Sequence, residues 1–375
     1  MAAVATHPDS VPAPFPTADA ELAVEAAEAQ LQALGAKRAL ETLAGVVVSR
    51  REPQLALRAI HARAAAELEL GAVDAALALL DGATPLADDP DVTSVARART
   101  LYLRGAALLA SGSVAAACSE LTLALETCNR SAEPSDLLRS EILERRARCH
   151  RHNRDWPAAR ADVERALELA ESLGDTRATA QACLQASIVS EREGQWIIAQ
   201  FYAERARQLF VELGDVHGVG RCLNNLGGLA FLLDRVDEAR KHLKESFAIL
   251  LDLGRDVDAA YAVSSLAQVQ LRTGEFDDAE RLARRALVFI GSRVDHRTEL
   301  GNAQLVLGRA LMEQERLDEA DEMFRTAEHT LEHAAAGERA AVWIAQGESA
   351  IRRDDAHGAV VLFRRAAEAL QDFHF

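Results

Sequence analysis

The phrase Leu-Gly-Asp stands at Leu173-Gly174-Asp175 and returns 40 residues later at Leu213-Gly214-Asp215, and Leu253-Gly254 with Asp256 nearly repeats it. A period of that size means that a small unit is copied along the chain and buries its apolar face against its own copies. The phrase is a helix boundary. Gly closes one helix in the left-handed conformation, and the following Asp accepts orphan backbone N–H groups at the start of the next. A second mark falls midway, in Arg154-Asp155-Trp156, Gly194-Gln195-Trp196, Asp234-Arg235-Val236, Gly274-Glu275-Phe276 and Glu315-Arg316-Leu317. Each is followed three residues later by Ala, which predicts the turn inside a helical hairpin.

Small residues confirm the frame. Ala159, Ala199, Ala239, Ala279, Ala320 and Ala359 form one series, and Ala166, Ala206, Ser246, Ala286, Ala327 and Ala366 form another seven residues on. Seven residues are two helical turns, so both small positions lie on one face and let a neighbouring helix come close. Apolar residues make up 49% of the chain and aromatics 5%, which suits Ala- and Leu-rich helices and not sheets.

These marks resemble the tetratricopeptide repeat, in its 40-residue variety found in kinesin light chains, Rap-type peptide-sensing regulators and MalT-like activators. Leu226-Gly227, Leu307-Gly308 and Gln346-Gly347 supply the small residue of the first helix. The resemblance implies an all-α, right-handed solenoid of about nine hairpins. It runs most regularly from Ser135 to Phe373, and Gly71-Ala72-Val73, Gly112-Ser113-Val114 and Leu34-Gly35 mark looser hairpins upstream. We expect a disordered Pro-rich tail over 1–18, degenerate hairpins over 19–92 and a regular array over 93–375 that closes with a capping helix. Pro85 and Pro90 within 84–91 mark the clearest interruption.

A net charge of −16 repels nucleic acid and anionic membrane, so neither is an expected partner. No run of 18 uncharged apolar residues is present, and the start lacks the basic and apolar pattern of a leader. Five cysteines with no C-x-x-C pair read as small buried hydrophobes of a cytoplasmic protein. His329-Thr330-Leu331-Glu332-His333 has the spacing of a zinc-peptidase helix, but the rest of such a site is missing. P-loop, dinucleotide and nucleophile-elbow motifs are missing too, so no enzyme activity, metal or cofactor is expected.

The repeat family lines its concave groove with the first helix of each hairpin. That rule places Arg99, Glu141, Gln181, Arg221, Tyr261 and Asn302 in one column and Arg145, Gln185, Asn225 and Ser265 in a second. Asn224-Asn225-Leu226-Gly227 resembles the Asn-Leu-Gly pattern of kinesin-light-chain-like repeats, in which Asn contacts peptide. Amides meet both the donors and the acceptors of an extended backbone. The candidate peptide groove is therefore Gln181, Gln185, Arg221, Asn224, Asn225, Tyr261, Ser264, Ser265, Gln268 and Asn302. A chaperone-type carboxylate clamp is absent, because Leu184, Ile188, Tyr261 and Ser265 occupy its positions. Arg145, Arg148, Arg151 and His152 form a cationic stripe that suits an acidic partner segment. Trp156 and Trp196 read as anchors of their turns. The expected function is a non-enzymatic adaptor or regulator that binds a peptide or helix of a partner protein. The alternatives are a Rap-type peptide receptor without a DNA-binding head, and an assembly subunit that forms homo-oligomers through its apolar Phe373-His374-Phe375 end.

Overall fold

The computed structural model describes residues 17–371 apart from 34, 47, 49–50, 133, 292–296 and 335. The proline-rich start up to residue 16, Leu34 and the apolar Phe373-His374-Phe375 end lie outside the described residues. Those described form eighteen α-helices and no strand. The chain divides into two compact units, residues 1–178 and 179–375.

Unit 1 holds α1 (Thr17–Gln32), α2 (Ala36–Leu43), α3 (Pro53–Glu69), α4 (Val73–Ala87), α5 (Ser94–Ala110), α6 (Val114–Asn129), α7 (Asp136–His152) and α8 (Trp156–Leu173). Each odd-numbered helix packs on the next even-numbered one, and the first helices of successive hairpins also touch. Pro85 sits inside the last turn of α4, so the interruption read around it shrinks to a short loop before Thr93. There the Thr93 hydroxyl accepts from the Ala96 N–H at 3.2 Å and opens α5.

Unit 2 holds α9 (Thr176–Arg192), whose first residues lie before the division, then α10 (Trp196–Glu212), α11 (Val216–Leu232), α12 (Val236–Asp252), α13 (Asp256–Arg272), α14 (Phe276–Ile290), α15 (Arg297–Glu313), α16 (Leu317–Thr330), α17 (Ala336–Arg352) and α18 (Ala356–Gln371). From α11 to α18 hairpin follows hairpin, with α11, α13, α15 and α17 side by side and α10 packed on α11. The element order is thus nine helical pairs, and the fold is an all-α solenoid.

Both punctuation marks are where the sequence placed them. Gly174 closes α8 at φ +65°, and the Asp215 carboxylate accepts from the Gly218 N–H at 2.8 Å to open α11. Within hairpins the left-handed residue is Gly194 or Gly274 in some copies, and Arg154, Asp234, Glu315 or Asp354 in others, at φ +60° to +63°. The Arg235 N–H bonds the Ala230 carbonyl at 2.8 Å, which satisfies a helix-end acceptor across that turn. Both small-residue series are buried along their whole length. Where Ser246 replaces Ala, its hydroxyl donates to the Gly220 carbonyl at 2.7 Å.

Some glycines of the first helices pack too closely to admit a side chain. A Cβ on Gly227 would stand 2.5 Å from Leu243, one on Gly308 2.4 Å from Phe324, and one on Gly347 2.7 Å from Phe363. Of the five cysteines four are buried, and burial pushes the Cys149 and Cys222 thiols up to about 12. No described helix is long and apolar enough to cross a membrane.

Two outcomes follow from this packing. Gly227→Ala loses about 1–2 kcal/mol in urea unfolding, because overpacking against Leu243 outweighs the better helix propensity of Ala. Gly228→Ala has nothing within 4 Å of its new Cβ and gains up to about 1 kcal/mol. The second outcome concerns His61, which is buried with its Nε2 2.8 Å from the Thr100 hydroxyl. Burial, aided by the Arg99 charge, lowers its imidazole from 6.5 to about 3. The native state stays neutral while the unfolded chain takes a proton near 6.5. Its stabilisation is therefore complete above that pH and is lost as pH falls towards 3. Between pH 6.5 and 5 the wild type loses about 2 kcal/mol more than His61→Gln, measured by chemical denaturation.

Candidate functional site

All ten groove candidates fall in unit 2, on the first helices of its hairpins. Gln181 and Gln185 are on α9, Arg221, Asn224 and Asn225 on α11, Tyr261, Ser264, Ser265 and Gln268 on α13, and Asn302 on α15. Because α11, α13 and α15 pack in succession, the 40-residue spacing brings Arg221, Tyr261 and Asn302 onto neighbouring helices at matching heights. Gln268 is exposed, and Gln181, Arg221, Asn224, Asn225, Tyr261, Ser264, Ser265 and Asn302 are half-buried. Gln185 differs. It is 0% exposed, so it lies beneath the face and not on it.

Asn224 and Asn225 carry the most informative chemistry. Asn224 Oδ1 and Asn225 Nδ2 are buried, yet neither finds a hydrogen-bond partner among the described residues. A buried amide atom left unpaired costs about 1–3 kcal/mol. Here one acceptor and one donor stand on consecutive residues of α11, about 100° apart around its axis. One turn before Arg221, His217 Nε2 meets Asp258 Oδ2 at 2.6 Å and ties α11 to α13. Sequence reading missed this pair, although the 41-residue offset between its members was a usable signal. At the other end Arg272 bonds Asp234 at 2.6 Å and the Phe231 carbonyl at 3.2 Å while stacking over the Phe231 ring.

The cationic stripe is in unit 1, on α7. His152 is exposed, and Arg145, Arg148 and Arg151 are half-buried. Arg145 is already engaged. Its Nε is 3.5 Å from Glu144, and although desolvation opposes its charge, Tyr102 and Glu144 raise its pKa overall. Arg148, Arg151 and His152 also have interactions within the chain. Beside them Arg146 grips Asp162 through two bonds of 2.6 and 2.7 Å, and Arg99 pairs with Glu141. Among the described residues no group of three His, Cys, Asp or Glu could hold a metal ion. The helix α16 ends at Thr330, so His329 and His333 do not share a helix face; both flank Glu332, at 3.6 and 3.2 Å.

The tetratricopeptide-repeat family model matches residues 219–288, which take in α11, α12 and α13 with most of α14. Residues 219–288 carry tetratricopeptide repeats. Over 166 residues, 44% of its length, it is 30% identical to the regulatory protein AfsR of Streptomyces griseus, and it spans 16% of that protein's length. A Rap protein solved in complex with competence and sporulation factor shares the fold at a TM-score of 0.71 and 14% identity, over 95% of this chain and 98% of that one. The quorum sensor NprR from B. thuringiensis, in its apo form, does so at 0.65 and 14% identity, over 94% and 98%. The helical fold shared with these structures therefore extends well beyond the matched segment.

The unpaired amides make a stability prediction. Asn224→Leu and Asn225→Leu, measured singly by thermal unfolding, leave Tm unchanged or raise it, because a near-isosteric apolar side chain removes the desolvation cost of about 1–3 kcal/mol. A fall of several degrees in either would mean that these amides are structural.

Proposed function

We propose that this protein is a cytoplasmic adaptor or regulator that binds an extended peptide segment of a partner on the first-helix face of unit 2, with no chemical step. The observation that carries the reading is the adjacent, unpaired Asn224 Oδ1 and Asn225 Nδ2 on the face that also holds Arg221, Tyr261, Ser264, Ser265, Gln268 and Asn302. With both amides turned outward, a peptide laid along α11 would give Asn224 a donor and Asn225 an acceptor, so binding relieves a cost already present in the free protein. Arg221 and Tyr261 would select side chains, and Gln181 and Asn302 would extend the contact to the neighbouring hairpins. Gln185 supports the face from beneath. The regular array over 93–375, entered through degenerate hairpins over 19–92 and capped by its last helix, is the scaffold that holds this face.

Fold likeness favours a regulatory form of this binding, since the Rap structure holds competence and sporulation factor and another NprR structure holds its cognate peptide NprX. The α7 stripe of Arg145, Arg148, Arg151 and His152 would by itself suit an acidic partner segment.

Affinity capture from native extract identifies the partner, and fluorescence anisotropy with synthetic peptides tiling it measures the affinity. Asn224→Ala/Asn225→Ala, still melting cooperatively, is expected to weaken the best peptide at least about tenfold, or 1.4 kcal/mol. Equal affinity in wild type and variant sinks the reading.

A further inference from the structure

The second helices of unit 2 show a contrast that the groove does not use. Where α12, α14 and α16 begin, the outward positions carry charge: Asp237, Glu238 and Lys241; Asp277, Asp278 and Arg281; Asp318, Glu319 and Glu322. The same positions of α10 are Ile197, Ile198 and Phe201, exposed to 66%, 47% and 62%. Trp196 flanks the patch at 40%, and the Phe201 ring meets Tyr202 edge-on at 5.5 Å.

Side chains of these sizes leave roughly 400 Å² of apolar surface in water, the size of the largest patches that monomers carry. The rim is polar and of both signs. Glu204 accepts from Arg207 at 2.9 Å, and Arg235 reaches Gln200 at 3.4 Å with Glu238 3.7 Å away. A rim of one sign would call for a partner of the other. A rim of both signs is matched by its own copy turned about a two-fold axis, where each Glu can meet an Arg. Two apolar patches of this size cover about 800 Å², and the polar rim brings the total to about 1,200 Å², the lower end for a stable pair.

We propose that this face of α10 is where two copies of the chain associate, helix against helix about a two-fold axis. Because the groove candidates sit on first helices and this patch on a second helix, the failure of one reading leaves the other standing.

The test is mass in solution by light scattering across micromolar concentrations. Wild type is expected to rise from 40.5 kDa to twice that mass. Ile197→Glu/Phe201→Glu, with unchanged helical circular dichroism, is expected to stay at the lower mass. Val288→Glu replaces an isolated valine that is 79% exposed, and it should dimerise like wild type. Should the double variant fail to fold, Gln200→Cys decides: mild oxidation gives a covalent dimer if the α10 faces meet. Wild type that stays monomeric overturns the proposal, whether or not it binds a different protein through this face. A double variant that dimerises like wild type, or a Gln200→Cys protein that forms no covalent dimer, also overturns it.

Discussion

Close approach of paired helices at small residues is the constraint from which the rest of this structure follows. Leu243 fits only because Gly227 has no Cβ, and Phe324 only because Gly308 has none. The buried alanines of the second helices do the same work one layer out. Interiors pack near crystal density, so such contacts lock the rotation of each helix about its axis. Once that rotation is set, every first helix turns the same face outward, and residues 40 apart in sequence become neighbours in space.

Contacts between neighbours in a repeat stack sum along the chain, so no single exposed residue is needed to hold the fold. This leaves first-helix faces able to carry groups that cost stability. Asn224 and Asn225 have unpaired amide atoms there, while the flanks of the same helices are tied by His217 with Asp258 and by Arg272 with Asp234. Arg352 repeats the second tie 80 residues on, bonding the Met312 carbonyl at 2.9 Å and Glu313 at 2.6 Å. Rigid edges with an unsatisfied centre are what a preorganised binding face requires.

Unit 1 meets its polar groups differently. Arg146 with Asp162, and Arg99 with Glu141, turn the first helices of that unit towards internal ion pairs. Its cationic stripe is partly drawn into the same network through Arg145 and Glu144. Unit 2 keeps a polar face on its first helices and, on α10 alone among α10, α12, α14 and α16, an apolar face on the second. One repeat thus serves two surfaces of opposite character.

Repeat length, both turns and both small-residue series were legible from the sequence, because they rest on local rules. A left-handed residue ends a helix and Asp opens one, and only small side chains tolerate close backbones. The same frame placed the groove candidates on first helices. Exposure was not legible, because it depends on which neighbour covers a side chain. Gln185 and Gln181 share a helix and a residue class, yet Gln185 is wholly buried and Gln181 is not. Trp196 reads as an anchor of its turn, yet only the packing decides that Ile197, Ile198 and Phe201 beside it stay in water. Periodicity thus settled where each helix begins and which way it faces. Tertiary structure alone decided which polar atoms stay unpaired and which apolar ones stay uncovered, because both depend on residues distant in sequence.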